Sequence, residues 1–458
     1  MGRCRSGWRE IEAVTVSAAL TDFVAASRWE DIPAPVRHEA KRALLSYFGT
    51  ALGGSRDIAI QHLQQVLSRF SGPAEAGVIG HQLRLDMLNA AFLNAAASNV
   101  FDFDDTHDPT IIHPTAPIAP VLFALAEQRP VSGRDLLHAF ILGVEIECRI
   151  GNAISPEHYA RGWHITSTCG VFGAAMAAGK LLDLDARHLV WALGSASSQA
   201  SGLVETLGTM AKSVGVGGAA RGGLFAALLA EQGLAGPDEP IAGMRGFARV
   251  SASSPDFSRI MQGLGESWEI LANMVKPYPC GVVLNAVIDA AMALRDRLGA
   301  SVPDLAYIEV VAHPLLRQRT DRPVPLSGRE AQVSAHHAVA VTLLHGLPGL
   351  DQFSDAWVDR EDVIALRGRV HLADDAALPV GTARLFARTN DGRVFRVEIA
   401  EARGSRSRPL SDAEIEEKLR QLCQHGCPGL DPSPLIDAVW SLDDAADAGA
   451  LMRLARPR

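Results

Sequence analysis

Between residues 12 and 230 apolar positions recur at helical spacing, one segment after another. "DIPAPVRHEAKRALLSYFGTALGG" has early prolines, an amphipathic body and a Gly53-Gly54 stop, the punctuation of a helix. "HPTAPIAPVLFALAEQ" opens after prolines and stays apolar, which predicts a buried helix. "GVFGAAMAAGKLLDL" and "GGAARGGLFAALLAEQG" predict helices whose small residues allow close backbone approach. No strand-type alternation stands out in this region. After about residue 273 the period changes. "LAYIEVVAHP" (305–314) and "ALRGRVHLADD" (365–375) read as strands. "TARLFARTNDGRVFRVEIAEARG" (382–404) alternates on both sides of Asn390-Asp391-Gly392, a hairpin signal. Helices at 284–298 and 330–346 interrupt the strands. Beyond Gly404, "PLSDAEIEEKLRQLC" returns to helix, with Ser411 as N-cap. The expected fold is therefore mostly α: a helical domain from 1–273 and 405–458, with an inserted α+β lid at 274–404.

Composition narrows the classes. With 458 residues and 48% hydrophobic content the chain can bury a large interior, and only 6% aromatics favours helix–helix packing through small side chains. The formal charge of −9 is scattered and no basic stripe exists, so nucleic acid is not an expected partner. Six cysteines show no disulfide pattern, and "CQHGC" (423–427) has no second ligand pair to complete a metal site. No run approaches the ~20 apolar residues of a membrane span, so no membrane association is expected. "MGRCRSGWRE" lacks the apolar centre of a signal peptide, although it fits M-G-x-x-x-S literally. The default expectation is cytoplasmic.

The densest chemistry lies in "NVFDFDDTHDPTIIHP" (99–114), with Asp102, Asp104, Asp105, Asp108, His107 and His113. "DDTHD" matches the D-D-x-x-D pattern that holds magnesium diphosphate in helical isoprenoid enzymes, and "DDAAD" (443–447) repeats it near the tail. Aromatics are scarce for such a cavity, and Pro109 would stop a helix at once. A second reading is a solvated helix end. A third is an acid/base site, which needs cations and proton carriers from elsewhere. "EHYARGWHITSTCG" offers Tyr159, Arg161 and His164 before a small-residue helix. "GTMAKSVGVGGAA" sets Lys212 among glycines, and "MVKPYPCGVV" places Lys276 and Tyr278 where the helical body meets the inserted module.

The order "DFDDT…HP", "GWHITSTCGVFGAA", "GTMAK" and "KPYPC…IDAA" resembles the MmgE/PrpD family over about residues 15–420. That family includes 2-methylcitrate dehydratase, cis-aconitate decarboxylase and iminodisuccinate epimerase. The resemblance implies an all-helical domain with an α+β lid, a homodimer, and a site built from Asp102, Thr106, His113, His164, Lys212 and Lys276. At the tyrosine of the decarboxylases' Q-F-S-x-x-Y pattern this chain has His337. Asn99, Gly215 and Asn285 stand where the family often has histidine. Catalytic candidates are thus His113, His164, Asp102, Lys212 and Lys276; candidates for holding substrate are Thr106, Tyr159, Arg161, Tyr278 and His337.

The family's shared problem is a carbanion beside a carboxylate, so cations must face the carboxylate oxygens as charge develops. His113 is the leading proton carrier and His164 the second, because imidazole titrates near neutrality. Asp102 would orient a histidine. This chemistry calls for no metal and no redox cofactor. The expected activity is dehydration of a small hydroxy polycarboxylate such as 2-methylcitrate. Alternatives are decarboxylation of the cis-aconitate type, epimerisation of a dicarboxylate, a magnesium-dependent isoprenoid enzyme and a non-catalytic binding protein. His113, His164, Lys212 and Lys276 are expected to converge on one cleft between body and lid.

Overall fold

Capping side chains set where the body helices begin. Thr15, Asp86, Ser132 and Asp185 accept first-turn N–H groups of α1 (Val16–Ala26), α3 (Met87–Asn99), α5 (Gly133–Ile154) and α7 (Ala186–Ser197). Between them run α2 (Ala34–Gly54), α4 (Thr115–Ala126) and α6 (Ile165–Leu181), and α8 (Lys212–Glu231) completes the set. This computed structural model describes residues 15–457; Cys4 and the M-G-x-x-x-S stretch lie outside the described residues.

Helix α6 is the centre of the body, buried from Ile165 through Gly179. It packs against α5 and α8 with almost no side chain between the backbones. A Cβ on Gly143 would lie 2.8 Å from the Gly173 carbonyl oxygen, and one on Gly223 would lie 2.7 Å from that of Val171. The small-residue composition is the physical requirement of these crossings. Helix α8 corrects one expectation: its 20 residues are long and apolar enough to cross a membrane by length and composition. Here most of it is buried against α3 and α6, where its glycines and alanines allow tight packing.

The lid is a four-stranded mixed sheet flanked by α9 (Asn285–Leu298) and α10 (Ala335–His345). Strand β1 (Leu305–Ala312) pairs in parallel with β2 (Val370–Asp374) and antiparallel with β3 (Ala383–Thr389). β3 then forms a hairpin with β4 (Val394–Ile399), where Gly392 has φ +88°. The sheet order is β2-β1-β3-β4. The strand expected from residue 365 begins only at Val370. Glu361–Arg367 is helical instead, burying Val363 and Leu366 three residues apart on one face.

After the lid the chain returns to the body. Ser411 and Glu414 form a reciprocal capping box at the start of α11 (Asp412–Gly426). α11 lies against α2, where a Cβ on Gly53 would meet Leu422 at 2.9 Å. One apolar core therefore joins Leu20 through Val275 to Leu410 through Ala455, while a separate core runs from Tyr278 to Ala402. The protein is mostly α with a smaller α+β domain. Two-residue pairings also occur where no strand was expected. In one, Thr106–His107 pairs antiparallel with Asn273–Met274, tying the aspartate cluster to the segment that leads into the lid.

Candidate active site

The aspartate cluster is neither on a helix nor at a solvated helix end. α3 stops at Asn99, and Asp102 turns the chain with φ +53°, a conformation that Asp tolerates better than most residues. Asp104 and Asp105 are buried just beyond the turn. The turn places both the carbonyl and the carboxylate of Asp102 within reach of Lys276, whose Nζ donates to the carbonyl at 2.9 Å and lies 3.3 Å from Oδ1. Lys212, at the first turn of α8, donates to the same Oδ1. His113 Nε2 lies 3.7 Å from it. One carboxylate oxygen is thus held by lysines from two distant parts of the sequence, with the His113 ring beside it.

Electrostatics follow from this hub. Burial opposes ionisation of Asp102, but Lys212, Lys276 and His113 outweigh it and hold the carboxyl well below its usual range. Burial likewise disfavours the Lys212 ammonium, yet Asp102 and Asp104 outweigh it and raise its pKa. The two lysines and one aspartate carry one surplus positive charge.

The histidine tautomer is set by its neighbours. The Asp105 carbonyl can only accept, so His113 Nδ1 carries the proton that is donated to it at 2.8 Å. Thr106 Oγ1 lies 3.2 Å from the same nitrogen. Nε2 is left with a lone pair on the Asp102 side. Burial lowers the His113 pKa; Asp104 opposes this and Lys276 adds to it. His164 precedes α6, its Nδ1 2.7 Å from Ser167 Oγ. Burial, and then the charge of Lys212, bring it down to about 3, so it is neutral near pH 7.

Asp105 anchors the arrangement from behind. Its carboxylate accepts from Thr115 Oγ1 and from Asn273 Nδ2 at 2.6 Å, and burial pushes it up to about 6 despite these bonds. A third lysine, which sequence reasoning missed, locks the two loops together. Lys418 of α11 donates to the Phe103 carbonyl at 2.7 Å and the Lys276 carbonyl at 3.0 Å, with Ser46 Oγ at 3.4 Å. The three N–H groups of an ammonium match these three acceptors. Burial brings Lys418 down to about 7. In "EEKLRQLC" it reads as part of a solvated helix face, and only the packing of α11 reveals otherwise.

A cavity of about 490 Å³ opens above the hub. Asp102, Thr106, His113, His164, Lys212 and Lys276 line it from the body, together with Tyr159. The lid contributes Arg319, Arg322, Arg329 and Gln332, none of which was anticipated, although "LRQRTDRP" is a visibly basic stretch. Gln332 donates to the Phe101 carbonyl at 2.9 Å, and Arg329 pairs with Asp57 at 2.5 Å; both contacts tie lid to body.

Three candidates do not reach the cavity. Arg161 is exposed and pairs with Glu157 at 3.5 Å. Tyr278 is fully buried in the lid core, its hydroxyl donating to Asp289. His337 is buried in α10 with Nε2 2.7 Å from the Gln352 carbonyl oxygen, and burial brings it down to about 4. Tyr278 and His337 are engaged in hydrogen bonds inside the lid, and Arg161 lies at the surface. Asn99 belongs to the layer behind the site, donating to Asp104 at 2.7 Å.

The D-D-x-x-D reading is not supported by the geometry. Asp105 is taken by Thr115 and Asn273, Asp108 is exposed, and Asp443 pairs with Lys41 at 2.5 Å. Asp102, Asp104 and His113 do bring donor atoms within 4.8 Å of one another. A divalent cation there would have to share Asp102 with two ammoniums, a poor donor set for it. Cys423 and Cys427 are buried separately, Cys427 against Ser55 and Cys423 toward the Leu430 carbonyl.

Fold and site together define a helical body with an α+β lid and, between them, a cleft lined by aspartate, histidine, lysine and arginine side chains. The MmgE/PrpD N-terminal domain matches residues 18–260 and the MmgE/PrpD C-terminal domain matches residues 278–442. The chain belongs to the MmgE/PrpD family. Among its relatives is the cis-aconitate decarboxylase-like protein oryM of Aspergillus oryzae, 29% identical over 96% of this chain and 97% of that protein. The cis-aconitate decarboxylase of Homo sapiens is 29% identical, covering 92% of this chain and 90% of its own length. That of Aspergillus terreus is 28% identical, with 93% and 92% covered.

Proposed function

We propose that this protein is a lyase that decarboxylates an unsaturated polycarboxylate of the cis-aconitate type. The observation that carries the reading is the pairing of Asp102 Oδ1 with Lys212 and Lys276, with His113 Nε2 3.7 Å away, on the floor of one cavity. The relatives' printed activities favour decarboxylation over the 2-methylcitrate dehydration expected from sequence.

The chemistry agrees. In decarboxylation a C–C bond breaks and carbon dioxide leaves. The electron pair stays on the substrate, delocalised into a retained carboxylate, until one proton reaches carbon. That step needs cations on the retained carboxylate and a single proton carrier. Lys212 and Lys276 supply the cations. His113 supplies the proton, since a polyanion beside Nε2 raises its pKa and draws a proton from solvent before the lid closes. His164, brought down to about 3 by burial and the charge of Lys212, is neutral near pH 7. His164 is assigned here as a neutral hydrogen-bonding partner of the substrate.

Partner and cofactor readings follow on the same basis. The lysines provide the positive charge a metal would otherwise supply, so activity is expected to survive exhaustive chelation. Val214 and Phe225, about three turns apart on α8, are exposed at 44% and 43%, and apolar side chains left open on this helix support a second copy of the chain as partner. The test of function is incubation with cis-aconitate and 2-methylcitrate in deuterated water. Carbon dioxide release with one deuterium incorporated per product supports the proposal; alkene formation from 2-methylcitrate without carbon dioxide release refutes it.

A further inference from the structure

We propose that Arg319 and Arg322 form a second anion subsite on the lid wall, which selects a third carboxylate and makes the cavity specific for tricarboxylates. The proposal rests on the carboxylate reading above and adds the substrate class. Both arginines line the cavity and are half-buried. Other arginines of the same lid segment have counter-ions: Arg317 pairs with Asp374 at 3.0 Å and Arg329 with Asp57. Among the described residues, no carboxylate pairs with either Arg319 or Arg322. Glu205 also lines the cavity and forms no ion pair with them.

Each guanidinium is held in place without being neutralised. Arg319 Cζ lies 5.2 Å from the centroid of the Tyr159 ring, a cation–π contact across the cleft. Arg322 reaches over Gly208, where an added Cβ would come 3.1 Å from NH1. Gly208 has φ +78°, so this close approach of lid to body also suits glycine conformationally. A partly desolvated, unpaired cation is costly, and an anionic ligand removes that cost. The planar fork of guanidinium matches a carboxylate edge, which a lysine does not.

The two walls then divide the ligand between them. Lys212 and Lys276 each serve one of the two carboxylates nearest the reacting carbon. Arg319 and Arg322 take a carboxylate on the far arm. The cavity volume of about 490 Å³ leaves room for a six-carbon acid spanning both.

The experiment is calorimetric titration with two unreactive ligands, tricarballylate and succinate. Tricarballylate is succinate carrying one further carboxymethyl arm. The wild type is expected to bind tricarballylate at least about tenfold more tightly. Arg319→Gln and Arg322→Gln should each weaken tricarballylate by about 10–100-fold and succinate by less than about threefold. Equal weakening of both ligands would mean that the arginines hold only the lid, and would overturn the subsite. So would unchanged tricarballylate binding, or a wild type that does not discriminate. Failure of the wild type to bind either ligand would overturn the carboxylate reading itself.

Discussion

The two walls of the cavity solve different problems. On the body wall the charged groups around Asp102 are engaged: Lys212 and Lys276 on Asp102, Asp105 on Thr115 and Asn273, Lys418 on two carbonyls. On the lid wall Arg319 and Arg322 are half-buried and carry no counter-ion among the described residues. A buried network of paired charges resists displacement, because moving one member leaves another unpaired in a low-dielectric interior. An unpaired guanidinium at a domain edge can follow a ligand. The contrast teaches where preorganisation and selection are separated in this molecule.

Substitutions on the body wall should therefore damage turnover most. His113→Gln is expected to lower kcat by roughly 10²–10⁴-fold with a smaller effect on KM, measured by steady-state carbon dioxide release. An unchanged kcat would remove His113 as proton carrier. Lys212→Met and Lys276→Met should each lower kcat/KM by about 10²–10³-fold, since each leaves Asp102 short of a buried partner. A loss in KM alone would show that the lysines bind substrate without serving the transition state. Lys418→Met lies one layer back and touches no substrate; an approximately tenfold loss of kcat/KM with retained helicity is expected.

On the lid side the effects should be milder. Arg329→Ala removes the pair with Asp57 between lid and body, and a rise in KM of about threefold with little change in kcat is expected. A large kcat effect would erase the division between the walls.

The smallest expected effect is on stability. Burial and Lys212 hold His164 at about 3 in the fold, below its value of about 6.5 when exposed. Its contribution is present above pH ~6.5 and is lost as pH falls toward the folded value, because the unfolded chain takes up the proton first. Asp105 at about 6 and Glu145 at about 7 act in the other direction, losing their contribution as pH rises through those values. The difference between His164→Asn and wild type isolates the histidine. Between pH 7 and 4 the variant should lose less in Tm, by about a few degrees, in parallel thermal scans. Parallel curves would count against a neutral buried His164.

The sequence by itself determined the elements and the class of chemistry. Helical spacing, caps such as Ser411 and the Asn390-Asp391-Gly392 turn are local signals, and they name helices, a hairpin and their order. Residue types and motif order also named Asp102, Thr106, His113, His164, Lys212 and Lys276, which line one cavity. Residues 365–367 were misread because the end of a short helix, with Leu366 and Arg367 buried, looks like the start of the adjoining strand. What only the tertiary structure decided is who meets whom. Tyr278 and His337 have the same chemistry as site residues but face the lid core, and Arg161 faces solvent. Lys418, Arg319 and Arg322 read as ordinary surface charges until α11 packs on α2 and the lid folds over the body. Periodicity records which side of an element is buried, a property of neighbouring residues. The environment of a charge depends on groups hundreds of residues away, and only packing brings those within the few ångströms over which hydrogen bonds and ion pairs act.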